Sequence, residues 1–259
     1  MAKKSSYDNF SFDVFKKMAK DKSLSRYEKI GFPDEYRKGK EELIFADIMQ
    51  KVPLLKNGKK LNILEIGPGC SDLPNYMIAL CKKNQNSLTW CDSTEMLENL
   101  PDQKSIKKIP GPFPTTFDIV KKQNPRGFDV IICYSVFHYI AFEHNIFDFL
   151  DKAILLLKDG GQMIIGDIPN ASKRRRFFAS KNGIKFHQNF TKSKELPKVE
   201  YNIVQEKVID ESMLDAMINR ARFSGCDAYL VPQDSTLPMS NRRDDLIIRK
   251  PWAQKNQNW

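Results

Sequence analysis

Residues 61–74 read LNILEIGPGCSDLP: an apolar β-type run, Leu61–Ile66, carries Glu65 and then breaks at Gly67-Pro68-Gly69 ahead of a helical segment. Open α/β sheets bind nucleotides at such strand-to-helix junctions. Two glycines let the backbone turn sharply and approach a ligand with no Cβ in the way, and the free N–H groups of the next helix face the same point. Taken alone, the loop could equally be a structural turn. A second apolar run, Ser87–Cys91, ends in Asp92 about 25 residues after Gly67, where a carboxylate can accept both hydroxyls of a ribose. Asp92 could also cap a helix, because Ser93-Thr94-Glu95 follows it.

The loop departs from the dinucleotide fingerprint, since position 72 is Asp where a third glycine would stand. Glu65, just before the loop, would repel a pyrophosphate but suits an ammonium group. Here the chain resembles the class I S-adenosylmethionine (SAM)-dependent methyltransferases. The resemblance lies in E-x-G-P-G at 65–69, CDSTEML at 91–97, FDVIICYSVFHYI at 128–140 and LLLKDGGQMIIGD at 155–167, in the family's order across residues 43–250.

It implies a doubly wound α/β fold, a mostly parallel seven-stranded sheet with an antiparallel last strand and helices on both faces, and SAM as cofactor. It further implies that Glu65, Gly67, Pro68 and Gly69 hold the methionine end and Asp92 the ribose, while Ser93 and Met96 line the adenine side. Cys133, Tyr134 and Ser135 would pass beneath the sulfonium, with Tyr134 and Tyr139 adding aromatic faces to a cationic ligand. Met96 reads equally well as core. The stretch Ile109-Pro110-Gly111-Pro112-Phe113 lacks the family's common Gly-Asp pair, so backbone groups or Phe113 are expected to take over its adenine contact.

On the acceptor side, His138 lies just beyond the fourth strand, and imidazole has the pKa best suited to taking a proton near neutrality. A structural histidine is the alternative. Asp167, ending the fifth strand, is a second candidate base or a hydroxyl-orienting group. His187 and Arg242-Arg243-Asp244 could close over an anionic acceptor or be ordinary surface. No Asn-Pro-Pro-Tyr element follows the fourth strand, which disfavours methylation of a nucleobase amine, and no carboxylate cluster suits a metal ion. GDIPNASKRRRFF at 166–178, with 232–243, is similar to methyltransferases found among bacterial surface-polysaccharide genes. O-methylation of a sugar or sugar nucleotide is therefore the expected reaction. The rivals are an RNA methyltransferase, in keeping with a net charge of +10 and the basic-aromatic mixing at 173–190, a catalytically silent SAM-binding or scaffold protein, and an NAD dehydrogenase, which the missing glycine disfavours.

At 259 residues the chain suits one large α/β domain, and no apolar run approaches the ~20 residues that span a bilayer. MAKKSSYDNF lacks the apolar segment of a signal peptide, and five scattered cysteines without CxxC spacing fit reduced thiols, so a cytoplasmic protein is expected. The basic charge is dispersed over predicted helix faces except at Lys173–Arg176. The expected organisation is an N-terminal arm and helical cap over 1–50, a SAM-binding domain over 51–250 with an acceptor-side insertion near 171–207, and a frayed tail at 251–259. Periodicity predicts one long helix over Glu143–Leu157, stopping at Lys158-Asp159-Gly160-Gly161, and an irregular stretch around 109–117. The last two strands, 226–231 and 245–249, are joined too briefly for a crossover helix and should pair antiparallel.

Overall fold

A computed structural model describes residues 10–252 apart from 202 and 204. Residues 1–9 of the expected arm lie outside these, as does the expected tail except for Pro251 and Trp252. The strands are β1 (Asn62–Ile66), β2 (Ser87–Asp92), β3 (Ile106–Pro110), β4 (Phe128–Tyr134), β5 (Leu157–Pro169), β6 (Asp227–Pro232) and β7 (Arg243–Arg249). They form a seven-stranded sheet in the order β3-β2-β1-β4-β5-β7-β6. All neighbours pair in parallel except β7, which runs antiparallel to both β5 and β6, as expected for the reversed last strand.

The helices are α1 (Phe12–Lys20), α2 (Asp34–Arg37), α3 (Glu41–Lys51), α4 (Pro53–Asn57), α5 (Leu73–Asn84), α6 (Thr94–Leu97), α7 (Phe117–Gln123), α8 (Phe137–Glu143), α9 (Ile146–Leu156), α10 (Ala171–Ala179), α11 (Lys181–Thr191) and α12 (Glu211–Phe223). They cover both faces of the sheet, so its central strands are apolar on both sides. Leu64 and Ile66 of β1 join a core with Ile131, Cys133, Phe149 and Ile165, whereas Ile63 joins a second core with Met77, Trp90, Val130 and Ile132. Burying each such side chain contributes roughly 1.5–3 kcal/mol, which fixes the face each residue takes. The same alternation of two puts Glu65 on the Trp90 face.

Three expectations change. The predicted helix over 143–157 starts later, as α9 at Ile146: Glu143 closes α8, and the Asn145 side chain accepts from the backbone N–H of Phe147 and Asp148 at 2.9 and 3.2 Å and caps the new helix. The start is blurred in the sequence because α8, through Phe137 and Ile140, buries in the same core as Phe149 and Leu150 of α9. Nor do the glycines at 160 and 161 end a helix: α9 stops at Leu156, and 158–161 bulge between the Phe128↔Leu157 and Val130↔Gln162 pairs. Thirdly, the Pro-rich stretch predicted as irregular overlaps β3, whose IKKIP sequence reads weakly because it is a short, lysine-bearing edge strand. The 171–207 region holds the helical pair α10–α11, with side-chain caps from Asn170 and Ser180. All five cysteines are free and buried. Among the described residues, no helix is long and apolar enough to cross a membrane.

Candidate functional site

The strand order changes direction between β1 and β4, and at the carboxyl ends of β1, β2 and β4 lies a cavity of about 900 Å³ counting its open mouth. That is the usual place for a small-molecule site in such a sheet. After β1 the chain turns through Gly67 and Gly69, both at φ +65°. A Cβ on Gly67 would stand 2.7 Å from the Val136 methyl, and one on Gly69 2.7 Å from that of Ile30, so both positions require glycine. The Gly69 N–H donates to Asp92 Oδ2 at 3.3 Å, tying the loop to the end of β2.

Two carboxylates flank this loop. Glu65 is 2% exposed, and its carboxylate accepts from the Trp90 indole N–H at 2.8 Å. Burial, with repulsion from Asp92 and Glu41, raises its pKa to about 7 against the relief given by Trp90. Asp92 is half-buried, and burial pushes it up to about 6 although the N–H groups of Ser93 and Gly69 favour its charge. Asp92 is not the helix cap: the Ser93 hydroxyl accepts from Met96 N–H at 3.1 Å and starts α6, which leaves the Asp92 carboxylate at the cavity.

Of the predicted cofactor residues, Glu65, Gly67, Pro68, Gly69, Asp92, Met96, Phe113, Tyr134, Ser135 and Tyr139 all line this one cavity. Ser93 and Cys133 do not: Ser93 is spent as a cap, and Cys133 is fully buried in the core between strands. Phe113 is held edge-on against Phe149, centroids 5.5 Å apart, and the Cys91 thiol meets the Thr116 hydroxyl at 3.0 Å, so the loop after β3 is fastened to β2.

The acceptor-side candidates fare differently. Asp167 sits outside the cavity lining, at φ +58°, beside Ser135 at φ +61°. One of its oxygens accepts from the Ser135 hydroxyl at 2.6 Å and the Arg243 guanidinium at 2.8 Å, and the other from the Gln233 amide at 3.3 Å. Its backbone N–H donates to Asp245 at 2.7 Å, and Lys51 pairs with Asp245 at 2.6 Å. This is a buried charge network whose carboxylate is fully engaged. His138 is 9% exposed and also outside the lining, and its Nδ1 is buried without a hydrogen-bond partner among the described residues. Burial and the Arg243 guanidinium lower its pKa to about 3.

Sequence reasoning missed several wall residues. Arg37, 3% exposed, donates to Glu41 at 2.9 Å and to the Ser135 hydroxyl at 3.0 Å. Phe12 and Phe15 of α1 also line the cavity, with the Phe15 ring 4.7 Å from Tyr139 and the Phe12 N–H donating to Glu143 at 2.8 Å. The phenylalanine spacing of α1 was a readable signal; nothing in the local sequence around Arg37 marked it.

No protein-family model and no curated protein sequence matches the chain. Solved structures do. The N-methyltransferase NodS from Bradyrhizobium japonicum WM9, in complex with S-adenosyl-L-homocysteine (SAH), matches with a TM-score of 0.57 at 14% identity over 93% of this chain and 98% of that one. The plantazolicin methyltransferase BpumL, in complex with a triazolic desmethylPZN analog and SAH, matches at 0.56 and 15% identity over 93% and 97%. The plantazolicin methyltransferase BamL, likewise in complex with a triazolic analog and SAH, matches at 0.55 and 12% identity over 92% and 98%. At these identities the likeness establishes the fold, which this chain shares nearly end to end with these methyltransferases.

Proposed function

We propose that the chain is a SAM-dependent methyltransferase acting on a small-molecule acceptor. The observation that carries this reading is the pair of carboxylates, Glu65 and Asp92, on either side of a glycine turn in one apolar-walled cavity. The donor set fits SAM: Glu65 suits the ammonium of its methionine end and Asp92 its ribose hydroxyls, while Met96 and Phe113 offer apolar walls to the adenine. Glu65 beside the loop would repel a pyrophosphate, which disfavours NAD. Bound SAM supplies an activated methyl group, and what the chain contributes is orientation and exclusion of water. Gly67 and Gly69 let the backbone approach, and Tyr134, Ser135, Phe12 and Phe15 complete the lining that would hold the ligand.

Oxygen methylation of a sugar or sugar nucleotide, the finer expectation, needs a group that takes the hydroxyl proton. His138 is the candidate with an unengaged nitrogen, yet a pKa of about 3 makes it a weak acceptor. That value favours a second reading, an amine acceptor that brings its own lone pair, in keeping with the N-methyltransferase NodS among the structural neighbours. The test is calorimetry with SAM, SAH and NAD, followed by methyl transfer from labelled SAM to paired sugar and amine acceptors. Micromolar SAH binding without NAD binding is expected. Equal or tighter NAD binding refutes the proposal, and SAH binding without turnover on any acceptor makes the protein a SAM-binding scaffold.

A further inference from the structure

The helical pair α10–α11 springs from the carboxyl end of β5, on the ligand edge of the sheet, and the surrounding segment 171–194 contains eight Lys or Arg and no Asp or Glu. Most of the Lys173–Arg176 cluster is committed to the fold. Lys173 pairs with Asp244 at 2.6 Å, Arg175 donates to Gln205 at 2.8 Å, and Arg176 forms a two-pronged pair with Glu211. Arg174 has no such partner among the described residues, and its guanidinium lies over the Phe178 ring, 5.3 Å from the centroid.

A second guanidinium from far along the chain meets it. Arg242 is half-buried and lies 5.9 Å from the same Phe178 centroid and 5.8 Å from that of Phe186. Its side-chain hydrogen bond goes to the amide of neighbouring Asn241, and among the described residues no carboxylate pairs with it or with Arg174. Burial lowers the Arg242 pKa, and the charges of Arg243 and Arg174 push the same way against Tyr36. Two cations gathered on one aromatic ring, one of them half out of water, leave an uncompensated positive site, a costly arrangement that an anion would relieve. Planar guanidinium forks are suited to phosphate oxygens in particular.

The chain connects the site to the candidate cavity at two points. Arg242 is followed by Arg243, which lies over the cavity-wall ring of Phe32 at 5.6 Å. Tyr36, which ring-packs with Phe190 of α11 at 6.4 Å, is followed by the cavity-wall Arg37.

We propose that Arg174 and Arg242, framed by Phe178 and Phe186, bind a phosphate group on the methyl acceptor, so that the substrate class is a phosphorylated small molecule. This rests on the methyltransferase reading, and the experiment separates the two. SAH and inorganic pyrophosphate are titrated separately into the full-length protein by calorimetry. Pyrophosphate should bind the SAH-saturated wild type, at least tenfold more weakly after Arg242→Gln or Arg174→Gln, and unchanged after Arg175→Gln, with SAH affinity equal in all four proteins. Arg174 is exposed, so its variant keeps the test readable if Arg242→Gln unfolds. Pyrophosphate binding that is absent in the wild type, unaffected in both Arg174 and Arg242 variants, or lost equally in Arg175→Gln overturns the proposal. Tighter binding of a single-stranded RNA oligonucleotide than of pyrophosphate at physiological salt also overturns it, in favour of a nucleic-acid surface. Absence of SAH binding removes the methyltransferase reading instead, with the pyrophosphate result then defining an anion site alone.

Discussion

Cofactor affinity should fall steeply between pH 8 and pH 6. Glu65 has a pKa of about 7 in the ligand-free cavity and Asp92 of about 6. Both must be carboxylates to hold an ammonium and a ribose, so the binding-competent fraction is the product of their ionised fractions, and the apparent Kd rises as that fraction falls. At pH 8 nearly all molecules qualify; at pH 6 about one-tenth have Glu65 ionised and half of those Asp92. SAH should therefore bind about 20-fold more weakly at pH 6, a change of about 2 kcal/mol. SAH is the ligand of choice because it lacks the sulfonium and isolates the ammonium contact. The stability of the ligand-free protein should move oppositely. A carboxyl raised from 4.5 to about 7 by folding contributes stability that is fully present below pH 4.5 and lost as pH rises through 7. Glu65→Gln removes the buried charge while keeping an acceptor for the Trp90 indole. It should raise Tm by several degrees at pH 8, leave it little changed at pH 5, and flatten the pH dependence of SAH binding. Calorimetry from pH 6 to 8 and thermal melts of both proteins check this. An SAH Kd constant within twofold across that range, or a Glu65→Gln protein less stable than wild type at pH 8, would refute the argument.

Gly67→Ala should lower stability by about 2–5 kcal/mol, combining a left-handed φ of +65° with a Cβ 2.7 Å from Val136; a double variant with Val136→Ala should recover part of the loss in thermal melts. Asp92→Ala should weaken SAH by about 1–3 kcal/mol with little loss of stability, whereas Ser93→Ala should cost about 1 kcal/mol of stability by removing the α6 cap and leave SAH affinity nearly unchanged, as calorimetry paired with urea unfolding can read. Asp167→Ala should destabilise by about 3–5 kcal/mol, because it strands Arg243 in the buried network; undiminished stability in urea with lost turnover would instead put Asp167 in the chemistry.

The strand-turn-helix at 61–74, the acidic end of β2 and the pairing of the last two strands were legible because each depends on residues near one another in sequence: apolar alternation, glycines where φ is positive, and a connection too short for a crossover. For the same reason the wall of the candidate cavity was readable, since Glu65, the glycine loop, Asp92 and Tyr134–Ser135 are strand ends that the sheet brings together. Local patterns misled where tertiary packing decided. Helical periodicity blurred the start of α9 at His144-Asn145 because α8 and α9 bury in one core, and β3 hid behind the polar face of an edge strand. What became of each charged group was beyond sequence reasoning, because a charge is used or freed by partners distant along the chain. Asp167 is taken by Ser135 and Arg243, Arg37 is drawn to Ser135, and the His138 pKa is lowered by burial and by the same Arg243. Of the four consecutive basic residues 173–176, three find partners in the fold, and the remaining Arg174 meets Arg242 over a shared ring. Residue type sets what a side chain can do in water; only the folded chain sets how much water and which countercharges it keeps.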